Sequence, residues 1–229
     1  MEPTRSIRLV LAIAVALVPL AGALFMGWDV REVLLLFWVE NLVIGGWQVV
    51  KMATHQPDAD RGRGHAGKFF IIPFFLVHYG GFCAGHGLFL HHLTGHNMDF
   101  FTAGNNPALG PLNFVVLLWN VMSASIAVLP ATAFLAVLAM VISHGLDTWR
   151  HYFANGDWRC SSRGHGLMFE PYKHIMVVHI AIMAGGFLVM VMKENGLVVL
   201  ALIIIGKFIL DWRTIQKREA EKEEEAVSS

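Results

Sequence analysis

A carboxylate stands in the middle of an apolar run, Leu34-Leu35-Leu36-Phe37-Trp38-Val39-Glu40-Asn41-Leu42-Val43-Ile44. Other apolar runs of the chain carry His78, His86, His144, His179, Lys207 and Asp211. A bare charge in hydrocarbon is too costly to keep, so such a group is neutral, paired or bound to a cation. Imidazole and carboxylate converging from separate helices suit a transition metal such as Zn, Fe or Cu. A metal with an open coordination position activates water or oxygen. Two imidazoles from different helices also suit a b-type haem. The expected ligand set is Glu40, His78, His86, His144 and His179, supported by Asn41, Asp147, Lys207 and Asp211.

Spacing limits how these residues can cooperate. Glu40 and Asn41 lie about 100° apart on a helix, so Asn41 can orient the carboxylate from its flank, and Trp47, two turns on, shares Glu40's face. His78 and His86 are separated by about 80° around a helix and two turns along it, so they serve different depths or different partners. Gly81 and Gly85 between them form a GxxxG pair that admits a close neighbour. His144, Asp147 and His151 follow an i, i+3, i+7 pattern on one face, where a carboxylate can hold an imidazole tautomer. Lys207 and Asp211 are four apart and can neutralise each other. His174 reads as a headgroup-level residue. His91, His92 and His96 fall at a span end, where histidine is cheap, and read as surface residues. For Glu40, His78 and His86 the bland alternative is a side chain hydrogen-bonded across helices that only fixes packing; for His144 and Asp147 it is a helix end facing water, and for Lys207 a side chain snorkelling to the inner interface.

The elements that must hold these residues are long and apolar. Of 229 residues, 55% are hydrophobic and 15% charged, against about 25% charged in a soluble domain. The pattern predicts an all-α polytopic membrane bundle: six transmembrane helices plus one interfacial or re-entrant helix. The spans fall at Ile7–Met26, Val30–Met52, Phe69–Leu90, Leu129–Trp149, Tyr172–Met192 and Leu197–Arg213, with Leu112–Ala127 as the extra helix. The first run reads as a retained span, not a cleaved signal. Residues 1–216 form a single domain, and 217–229 a charged tail. Lys and Arg concentrate at both termini and in the loops around Arg61 and Arg159, and none occurs in Leu93–Gly110. That bias puts both termini in the cytoplasm. Zero net charge gives no basic stripe for nucleic acid. Cys83 in an apolar run and Cys160 in a polar loop are ill placed to pair. No phosphate loop, HExxH helix or nucleophile elbow is present.

Phe37-Trp38-Val39-Glu40-Asn41, His78-Tyr79-Gly80-Gly81-Phe82 with His86, and Ser143-His144-Gly145 occur in that order. Pro171-Tyr172 with His179, Gly185-Gly186, and Lys207 with Asp211 follow. This order resembles a family of bacterial and archaeal multi-pass membrane proteins with a domain of unknown function. The resemblance covers nearly all the chain beyond the first span. It implies a plasma (inner) membrane location and supplies no activity.

The expected function is therefore an integral membrane protein with a buried Glu/His centre that binds a metal or haem for redox or hydrolytic chemistry. A structural or accessory subunit of a larger membrane complex, and a proton-coupled transporter, stand beside it. Its partners are the lipid bilayer and either further copies of itself or a larger membrane complex.

Overall fold

The computed structural model describes residues 18–56, 66–93, 113–159 and single positions 108, 110, 167, 169, 172, 176, 180, 183, 184, 187, 201, 202, 204–206, 208, 209, 212, 213 and 216. Among the described residues all regular structure is helical. Four helices position the site: α1 (Val30–Thr54), α2 (Ala66–Leu93), α3 (Asn113–Val128) and α4 (Ala133–Thr148). α1 packs against both α2 and α4, and α3 packs against α2.

α1 begins where its sequence can cap it. The Asp29 carboxylate accepts from the backbone N–H groups of Arg31 and Glu32, and the Glu32 side chain reaches back to the Asp29 N–H. This reciprocal box satisfies donors that a helix start leaves orphaned. Just before it, Gly27 turns the chain at φ 70°, a conformation that costs glycine little. At the other end the chain leaves the helix at His55 (ψ 134°). Carbonyls of the last turn also accept from distant residues: Lys68 Nζ donates to Ala53 O at 2.7 Å, and Tyr152 OH donates to Lys51 O at 2.8 Å. The Gln56 N–H donates to Trp158 O at 2.7 Å.

α1 runs through the core. Leu34, Leu36 and Trp38 are buried against Leu90, Val121, Ala133, Ala136 and Met140. A second cluster gathers Met52, Phe75, Tyr79, Cys83 and Tyr152. Cys83 is a buried free thiol; Cys160 lies outside the described residues. Glycine notches let rings approach the helices closely. A Cβ at Gly45 would fall 2.5 Å from the Tyr79 ring, and one at Gly87 would fall 2.4 Å from Val121 and 2.8 Å from the Trp38 ring. Gly85 of the GxxxG pair meets nothing within 4 Å among the described residues, and the tight described approach to an α2 glycine is at Gly87. Away from the core, Phe69, Phe70 and Val77 of α2 and Leu135, Leu138 and Ile142 of α4 are exposed.

Among the described residues two helices, Val30–Thr54 and Gly67–His92, are long and apolar enough to cross a membrane. The expected extra helix appears as α3, whose 16 residues reach about 24 Å, short of a hydrocarbon core of about 30 Å. The expected span at Leu129–Trp149 starts later. Pro130 and the turn at Ala131 and Thr132 delay the helix to Ala133. It then runs on through a π-helical turn, Trp149–Ala154. Residues 1–17 of the chain, most of the two last expected spans, the segment 94–107 and the tail 217–229 lie outside the described residues.

Candidate functional site

Glu40 and Trp47 lie on the same face of α1, and that face meets α4. Trp47 Nε1 donates to Val141 O at 3.1 Å. Its ring lies over Gly145, where a Cβ would stand 2.6 Å from Cζ2. This close approach sets the depth at which α4 presents the residue before that glycine. His144 Nε2 faces Glu40 Oε1 at 3.5 Å. The Glu40 side chain is only 4% exposed, whereas that of His144 is 28% exposed. A carboxyl sealed in the bundle thus meets an imidazole that still reaches its surface.

The backbone carbonyl of Asn41 accepts from Tyr79 OH at 2.8 Å, while its side-chain Oδ1 is buried without a hydrogen-bond partner among the described residues. One turn before, Trp38 Nε1 donates to Cys83 O at 2.7 Å. α1 thus offers different groups to different neighbours: the Glu40 side chain to α4, the Trp38 side chain and the Asn41 backbone carbonyl to α2.

The remaining candidates separate. His78 is exposed on α2. It stacks on Phe74 at 5.6 Å between ring centroids and lies 5.9 Å from Tyr172. His86 is half-buried, and its Nδ1 bonds the carbonyl of Phe82 on its own helix at 2.7 Å. With that carbonyl as the only acceptor in the pair, Nδ1 carries the proton. Asp147 pairs with His151 at 3.3 Å, both partly exposed. His179, Lys207 and Asp211 lie outside the described residues, as do His96 and His174. Among the described residues no three His, Cys, Asp or Glu side chains form a metal-holding group.

His91 departs from the surface reading of the sequence. It is 1% exposed, and its Nε2 lies 3.0 Å from Ser125 Oγ. Ser125 donates its own proton to Val121 O at 2.7 Å, so the imidazole N–H is the donor to the serine oxygen. The signal for this contact was Ser125 in the apolar face of α3, a polar partner for a histidine placed at the far end of α2.

At the base of α1, His55 is buried and its Nδ1 has no hydrogen-bond partner among the described residues. Burial, and then the Lys68 charge, push its pKa below the ordinary histidine value. The ring is held neutral because its charged form would lose hydration and meet a cation.

Among the described residues these elements form a helical bundle with two helices apolar enough to cross a membrane and a buried carboxylate–imidazole contact between helices. The chain belongs to a family of unknown function, DUF6498, whose family model matches residues 2–228. No curated protein and no solved structure matches the chain.

Proposed function

We propose that this chain is a multi-pass membrane protein whose working centre is the Glu40–His144 pair, and that the pair exchanges protons as the centre of a proton-coupled permease does. The topology of this reading is six spans with both termini cytoplasmic, following the distribution of Lys and Arg. The observation that carries it is the 3.5 Å approach of His144 Nε2 to Glu40 Oε1 across two helices, with the carboxyl buried and the imidazole half open. Ionisable groups inside a bundle are expensive and mark ion or proton paths. The pair has two states of equal net charge: carboxylic acid with neutral imidazole, and carboxylate with imidazolium. A proton can therefore pass between them without leaving an isolated charge. Imidazole can accept a proton on one ring nitrogen and give one up from the other, which suits it to load the carboxylate.

Infrared spectroscopy in lipid nanodiscs, from about pH 5 to about pH 9 across the carboxylate and imidazole ranges, tests this together with elemental analysis of the same sample. The expected result is a carboxylic-acid carbonyl band that titrates, disappears in Glu40→Gln and moves in His144→Phe. Stoichiometric metal lost in Glu40→Gln would overturn proton exchange in favour of the metal or haem centre that the sequence also suggests. A carboxyl that never titrates in metal-free protein would leave the pair a packing contact, as in an accessory subunit.

A further inference from the structure

We infer that Asp147 and His151 form the proton-collecting entrance to the buried pair, on the side of the bundle where α1 ends; this rests on the proton-exchange reading of Glu40 and His144. The groups lie in order of burial. The side chains of Asp147 and His151 are 51% and 31% exposed, that of His144 is 28% exposed, and that of Glu40 is 4% exposed. Asp147 Oδ1 and His151 Nε2 are 3.3 Å apart, and His144 Nε2 and Glu40 Oε1 are 3.5 Å apart. His144 and Asp147 are three positions apart on one helix, which makes them neighbours on its surface.

The backbone at this point is irregular in a useful way. α4 gives way after Thr148 to the π-helical turn Trp149–Ala154, so His151 is carried on a widened turn while still pairing with Asp147. Such turns are rare and occur often at functional sites. The charged and titratable neighbours at this end are Lys51 and His55 near the end of α1, Lys68 near the start of α2, Arg150 and Tyr152 on the π-turn, and Asp157 and Arg159 on the turn that follows it. Tyr152 is occupied with the Lys51 carbonyl and Lys68 with the Ala53 carbonyl. Asp147 and His151 are the acid–base pair among them that lies on the helix carrying His144 and on its π-turn continuation.

The transfer balances without a co-reactant. A proton from bulk water is held by the Asp147–His151 pair and passed through an intervening water to His144 Nδ1. A second proton leaves His144 Nε2 for Glu40 Oε1. The imidazole returns to its starting tautomer before the next cycle, and no bond to carbon changes.

The test is the rate at which the Glu40 carboxyl band appears after a rapid pH drop, measured on the full chain in nanodiscs. Asp147→Asn and His151→Phe are expected to slow it at least about tenfold, the scale at which a positioned proton-transfer group is felt, with the final amplitude unchanged. Asp147→Glu should restore the rate. Wild-type rates in both variants would overturn the entrance. So would a loss of final amplitude, because these residues would then set the affinity of Glu40 and not its access. A wild-type carboxyl that shows no band at all fails the underlying reading instead, so the two failures are told apart. Asp147 and His151 are partly exposed, so the variants leave the core packing intact.

Discussion

Gly145 and Trp47 are built for each other: the glycine leaves the space that the indole fills, and the indole N–H holds Val141 O one turn earlier on the same helix. His144 is adjacent to that glycine, so the fit of one ring sets the reach of the other. Gly145→Ala places a methyl 2.6 Å from Trp47 Cζ2 and forces α4 or the indole to move. The expected cost is about 1–3 kcal/mol of stability, against about 1 kcal/mol that alanine returns in helix propensity. Denaturation in mixed micelles measures the sum. The infrared band of Glu40 should shift in the same variant, whereas Gly85→Ala, with open space around it, should leave the band in place.

Glu40 and His144 should be energetically coupled. In a double-mutant cycle of Glu40→Gln and His144→Phe, the interaction term is expected at about 0.5–3 kcal/mol, the range for residues in one polar contact. Glu40→Gln with His78→Phe should add, because His78 lies on the exposed face of α2. Coupling to His78 equal to that with His144 would break the site as described.

His91 and His92 are neighbours in sequence and opposites in burial. His91→Ala removes a buried ring and leaves Ser125 without its donor, for an expected loss of about 1–3 kcal/mol. His92→Ala, at an exposed position, should fall within about 0.5 kcal/mol of wild type. Thermal unfolding in detergent separates the two.

His55 gives the fold a pH dependence with a definite sign. Its pKa is lowered in the folded state by burial and by Lys68, so below the ordinary histidine value the unfolded chain binds a proton that the folded chain refuses. Stability is therefore greatest above about pH 6.5 and falls as the pH drops below it, levelling once the folded ring also protonates. His55→Gln should flatten this slope. Equal melting profiles for wild type and His55→Gln between about pH 7 and about pH 5 would show that the ring carries no such linkage.

The helical class and the burial of Glu40 against a partner were legible because one carboxylate in a long apolar run has few physical solutions. The shared face of Glu40 and Trp47 followed from helical period alone, and that face is the one turned to α4. The choice of partner did not follow. His78, His86 and His144 carry equal weight as residue types, and only the packing of α1 between α2 and α4 selects His144 while turning His78 outward. Tyr79 bonds the backbone carbonyl of Asn41, a main-chain contact that a reading of side-chain types does not register. His91 is deeper than its place at the end of an apolar run implies, because Ser125 across the gap gives the buried ring a polar partner. The late start of α4 came from Pro130, whose effect on the following residues hydropathy does not register.

The fasteners on α1 differ in kind on its two sides. Towards α2 it is pinned by Trp38 to Cys83, by Tyr79 to the Asn41 backbone carbonyl, and by ring-in-notch contacts at Gly45 and Gly87. Towards α4 and the π-turn that continues it, the links are the Trp47 indole seated over Gly145, the acid–base pair and, at the far end, Tyr152 to Lys51. On the proton-exchange reading, a small roll of α4 about that Tyr152 tether would part the imidazole from the carboxyl while the α1–α2 unit stayed whole, opening and closing a circuit at this seam.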